Sequence, residues 1–175
     1  MVIDRKLLSW LLSMPALLAG LVFAAEGRAA GKPKPPAKHG PAKSAVQIHF
    51  EEAQALREAF LVLAGANHDY NGHRVHAMGA VKAAIKILDD AIEAHGSAKM
   101  KTAAAAGRAA TTRAEQAARQ TRTVHEVQRA SDAQLLKAGE MLAQVRAVAA
   151  QNHQKRVLSH VDNAIREVKM GLRTR

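Results

Sequence analysis

One apolar stripe occurs twice in this chain. Met78, Val81, Ile85, Leu88 and Ile92 return 80 residues later as Leu158, Val161, Ile165, Val168 and Leu172. Spacings of three and four residues mark one face of a helix. Repetition in register marks two copies of one packing unit. Ala84 returns as Ala164 and His73 as His153 at the same offset. Upstream the match continues at an offset of 82, where Ala53, Phe60 and Leu63 fall on Leu135, Leu142 and Val145. The change of offset makes the first interhelical loop two residues longer, with Asn71-Gly72 as the added turn.

The repeat predicts an all-α fold of two αα-hairpins, at about 44–95 and 131–172. A single hairpin of this size buries too little apolar surface to stand alone. The economical arrangement packs both stripes against each other as an antiparallel four-helix bundle. The alternative is two loosely joined hairpins, each pairing with another chain as a homo-oligomer. With no cysteine and few aromatics, the core must come from Ala, Leu, Val, Ile and Met. Cores of that composition suit close-packed helices.

The chain before the first hairpin divides in two. Residues 1–24 have the form of a signal peptide: Arg5 and Lys6, an apolar run from Leu7 to Phe23, and Val22-Phe23-Ala24 as a small-residue cleavage site. The competing reading is an inner-membrane anchor formed by residues 7–23. Either one places the helices outside the cytoplasm, in the periplasm or beyond the cell. Residues 25–43 hold four of the five prolines among lysines and predict a solvated spacer.

Helix starts are marked twice by Ser-x-x-Gln, at Ser44–Gln47 and Ser131–Gln134. That spacing allows reciprocal capping. The first helix should carry Val46, Phe50, Ala53, Leu56, Phe60 and Leu63 inward. The second should run from about Gly72 to His95, ended by Gly96 in the left-handed conformation. The third should bury Leu135, Ala138, Leu142, Val145 and Ala149, and the fourth should span about His153 to Leu172. Residues 96–124 form an Ala- and Arg-rich connector with almost nothing larger than alanine to bury. It predicts an exposed or fraying helix, or partial disorder. The second hairpin unit then covers 125–175.

The net charge is +11, and it is unevenly placed. Residues 26–43 carry +4, residues 44–95 carry −3, residues 96–124 carry +5 and residues 125–175 carry +4. Basic linkers on an exported chain point to an anionic lipid, a polysaccharide or an acidic protein as partner. Nucleic acid is disfavoured. Arg108, Arg113, Arg119 and Arg122 lack interleaved aromatics and a base-reading motif.

The only candidate site by composition is the first loop. His68, Asp69, His73 and His76 lie within nine residues. Imidazole and carboxylate together suit zinc, nickel or copper, and His73 and His76 share a helix face. The competing reading is structural: Asp69 or Asn71 caps the second helix, and His73 and His153 share a packing role. No nucleophile motif or phosphate loop is present, so no catalytic or cofactor-binding residue is assigned. Glu51, Glu52, Asp89, Asp90 and Glu93 are read as a solvated acidic face.

The string HDYNGHRVHAM followed by AIKIL resembles a pattern in small exported helical proteins of bacteria. In these, a loop ending Gly-His-Arg precedes an apolar helix, often in duplicate. The matching residues are Gly72, His73, Arg74, Ala77, Ala84 and Ile85, and the second copy departs with Asn152-His153-Gln154. The resemblance implies a helical, exported protein and carries no activity. The expected function is therefore non-catalytic, by interaction in the bacterial envelope. The second reading is a histidine-based metal-binding or pH-responsive module, and the third is binding of nucleic acid or another polyanion.

Overall fold

A computed structural model describes residues 43–66, 70–120 and 128–174. These residues form five α-helices and no strand: α1 (Ala45–Gly65), α2 (His73–His95), α3 (Ala98–Gln120), α4 (Gln128–Gln151) and α5 (Lys155–Gly171). The expected leader, most of the spacer, and His68 and Asp69 lie outside the described residues. None of the described helices is long and apolar enough to cross a membrane.

Helices α1, α2, α5 and α4 form a ring in which each packs on its two neighbours. Three cross-links fix the directions. Glu52 near the start of α1 meets Gln154 beyond the end of α4, and Tyr70 after α1 meets Asp132 near the start of α4. The start of α2 meets the end of α5 through His73 and Glu167. Every adjacent pair in the ring is therefore antiparallel, and the two hairpins share one core.

The expected inward stripes of α2 and α4 are all buried. On α1, Ala53, Leu56, Phe60 and Leu63 are buried, while Val46 and Phe50 are partly open. On α5 the stripe is turned from the expected one. Val157, Val161, Ala164 and Val168 are buried, whereas Leu158, Ile165 and Leu172 are only partly so.

Over Ala98–Gln120 the connector is a packed helix rather than a fraying one. α3 lies along α1 and α2 and touches neither α4 nor α5 among the described residues. It buries Ala104, Thr111 and Ala118, spaced by seven. Lack of bulk is what allows this: small side chains on one face let the helix approach its neighbours closely.

Ser44 caps α1, its Oγ accepting from the Gln47 N–H at 3.2 Å. The Gln47 side chain turns to Glu51 at 3.0 Å instead of back to Ser44, so only half of the box forms. Ser131 does not stand at a helix start: α4 already includes it, running from Gln128, and it is wholly buried inside the helix. Gly96 ends α2 in an extended conformation, φ −76°, not a left-handed one. A Cβ there would collide with the Ile92 carbonyl that its own N–H bonds at 2.6 Å.

Candidate functional site

The turn before α2 is built from three consecutive left-handed residues, Tyr70, Asn71 and Gly72, at φ 47°, 52° and 84°. Gly72 caps the helix with no side-chain bond, so Asn71 does not serve as the cap. The strained turn aims two side chains at the second hairpin. Tyr70 is buried and its hydroxyl donates to Asp132 Oδ1 at 2.8 Å. His73 Nδ1 lies 2.9 Å from Glu167 Oε2 on α5. His73, a candidate metal ligand, is thus engaged by a carboxylate 94 residues away. His76 is exposed one turn further on. Among the described residues no group of three or more His, Cys, Asp or Glu could hold a metal ion. His68 and Asp69, the other two candidates, fall outside the described residues.

His153 does not share the role of His73. It is exposed, in a left-handed turn at φ 55° between α4 and α5. α5 starts two residues later than the repeat implies, because α4 runs on to Gln151. The core match at offset 80 holds at Val161, Ala164 and Val168 but not at Leu158, Ile165 and Leu172, and the loop match does not hold.

Two carboxylates expected on a solvated face are buried. Asp89 sits at the junction of α1, α2 and α3, paired with Arg57 and 3.5 Å from Arg108. Arg57 also donates to the Ala104 carbonyl of α3 at 3.3 Å. Glu52, 3% exposed, accepts from Gln154 Nε2 at 2.7 Å. Burial pushes the Glu52 carboxyl up, and the Gln154 bond partly opposes this. One turn earlier on α1, burial and then the charge of His95 push the His49 imidazole down. Arg74 is buried too, donating to the Leu63 and Ala64 carbonyls at 3.4 and 3.2 Å. It thereby satisfies the open C-terminal end of α1.

α3 is also held electrostatically. Lys82 of α2 meets Glu115 at 2.6 Å. That bond, aided by Arg119 against the opposing effect of burial, holds the Glu115 carboxyl below its usual range. Ion pairs of both polarities, Lys82–Glu115 and Asp89–Arg108, thus tie α2 to α3.

Among the described residues, no third helix covers the opposite flank of the ring, between α4 and α5. Arg146, Arg166, Lys169 and Arg173 line a groove there over Ala143, Ile165 and Met170. Asp162 is its one acidic member among the described residues, bonded to Arg146 at 2.6 Å. Arg166 donates to Asn163 at 2.8 Å. Lys169 and Arg173 are exposed. The linkers drew the eye in sequence because their charge is dense. This face is less conspicuous, since Arg166, Lys169 and Arg173 are spaced by three and four residues along and just past α5, and Arg146 comes from α4.

No protein-family model, curated protein or solved structure matches the chain.

Proposed function

We propose that this protein is an exported, non-catalytic helical bundle that acts by binding an anionic partner in the bacterial envelope. The observation that supports it is the open α4/α5 face, where four cations outnumber one carboxylate around an apolar floor. The charge of residues 26–43 and of α3 adds long-range attraction. Export rests on the basic start, apolar run and small-residue site of residues 1–24. Exposed cations are screened over a Debye length of about 8 Å at physiological salt. Binding of the full chain to heparin, as a probe polyanion, should therefore weaken steeply between low and high salt. Binding that is indifferent to salt, or recovery of leader-bearing protein in the cytosol, overturns this reading.

A second reading, a pH-responsive histidine module, draws on one observation. Glu52 and His49 lie a turn apart on α1 with proton affinities displaced in opposite directions. It competes for the same chain without needing the α4/α5 face.

A further inference from the structure

The two hairpins share an apolar pattern, but several charges on their outer faces are inverted, while Lys86 keeps its sign as Arg166. At the repeat offset of 80, Asp89 corresponds to Lys169 and Glu93 to Arg173. Lys82 corresponds to Asp162, which inverts the sign again. Ile85 corresponds to Ile165, so the apolar floor is kept. Both sets line grooves at corresponding places on their hairpins, one bordered by α3 and one bordered by no third helix among the described residues.

The difference in cover is visible in burial. Ile85, Met78 and Asp89 are buried on the hairpin that carries α3, at 4%, 7% and 3% exposure. Their counterparts Ile165 and Leu158 are partly open, and Lys169 is exposed. On the partner helix of each hairpin, Arg57 corresponds to Gly139. The second hairpin thus lacks the arm that reaches into α3 on the first, and Gly139 packs against Val168 instead.

We infer that the α4/α5 groove is a docking site for an acidic helix with a small-residue face, seated as α3 is seated on α1 and α2. This rests on the reading of the protein as a binder of anionic partners and names the partner's class. Charge complementarity selects the occupant. α3 is basic and lies where α2 lines the groove with three carboxylates, Asp89, Asp90 and Glu93, against two lysines, Lys82 and Lys86, and Asp89 meets Arg108 of α3. The equivalent face presents Lys169 and Arg173, so it favours carboxylates at the matching positions. Ile165 and Met170 supply the apolar contact that a helix with an alanine stripe can cover. A second copy of this chain is a poor occupant. Its α3 carries Lys99, Lys101, Arg108, Arg113 and Arg119 against Glu115 alone.

The test uses the full chain and two synthetic peptides of the α3 sequence, residues 98–120. One has the native charges. The other carries Lys99→Glu, Lys101→Glu, Arg108→Glu, Arg113→Glu and Arg119→Glu. The charge-inverted peptide should bind and the native one should not. Lys169→Glu with Arg173→Glu should weaken the inverted peptide by at least about tenfold, or 1.4 kcal/mol, and should make the native peptide bind. Lys155→Glu with Arg156→Glu, at the far end of α5, should leave both results unchanged. Unaltered melting curves establish that the variants fold. Equal binding of the inverted peptide to both double variants overturns the docking groove. So does retained heparin binding with no peptide binding, and that result leaves the broader function standing. Phosphatidylglycerol vesicles that bind through Lys169 and Arg173 when the peptide does not would assign the face to a membrane instead. Failure of heparin and peptide alike overturns both readings.

Discussion

Gly107 of α3 lies so close to the side chain of Arg57 that a Cβ built there would collide with the guanidinium Nε. Arg57 cannot simply swing away, because it is buried and bound to Asp89 and the Ala104 carbonyl. The glycine is the notch that lets α3 close over this pair. Gly107→Ala should therefore destabilise by about 1–2 kcal/mol through overpacking, although alanine is better by about 1 kcal/mol in a helix interior. In an Arg57→Ala background the same change should become neutral or stabilising. Thermal melts of the four proteins give the coupling. Additive effects would refute the notch.

Asp89 joins three helices, and removing it strands a buried guanidinium. Asp89→Ala should cost about 3–5 kcal/mol. Asp90→Ala, on the exposed side of the same turn, should stay within about 0.5 kcal/mol. Urea unfolding distinguishes the two. Equal, small effects would mean that water reaches the Arg57 pair freely.

Val161 tests whether the hairpins share a core. It is fully buried, so Val161→Asp should lose at least about 4 kcal/mol and remove amide protection from α1 and α2 as well as α5. Ile165→Asp should be much milder, since Ile165 stands partly open at the α4/α5 groove. Hydrogen exchange reports each helix separately. Protection of α1 and α2 that survives Val161→Asp is incompatible with a single core.

The His49 and Glu52 displacements give opposing pH slopes. His49 has a lowered affinity for protons in the folded state. Its contribution is intact above its ordinary value of 6.5 and is lost as pH falls below it. Glu52 has a raised affinity. Its contribution is intact below its ordinary value of 4.5 and is lost as pH rises through the raised folded value. Glu52→Gln keeps an acceptor for Gln154 and removes the second loss. Its melting temperature should exceed that of the parent at pH 7, with the gain disappearing near pH 4. A gain that persists unchanged at pH 4 would show that the carboxyl's ionisation is not the cause.

The first loop is tested by metal. His73→Ala should destabilise by about 1 kcal/mol without any metal, because it breaks the contact with Glu167. His76→Ala should change little. Stoichiometric zinc or nickel should not raise the melting temperature. A rise that disappears in His68→Ala would establish a metal site in this loop.

The periodicity of apolar residues was sufficient to specify an all-α repeat, because a helix buries one face whatever it packs against. Met78, Val81, Ile85, Leu88 and Ile92 could be named in advance for that reason. The charge inversion between Asp89 and Lys169 was also legible once the repeat was aligned. Its meaning was not, since an acidic residue on a helix looks solvated until a third helix covers it. Glu52 and Asp89 were buried by Gln154, Arg57 and α3, partners far away in sequence. Ser131 has the signature of a cap, yet it lies inside α4, because local capping chemistry is overridden when the helix can extend upstream. α3 had no bulky stripe to announce it. Its place was decided by shape, a small-residue face fitting a groove, and by ion pairs of both polarities with α2. Such complementarity exists only between elements already folded, so only the tertiary structure could decide it.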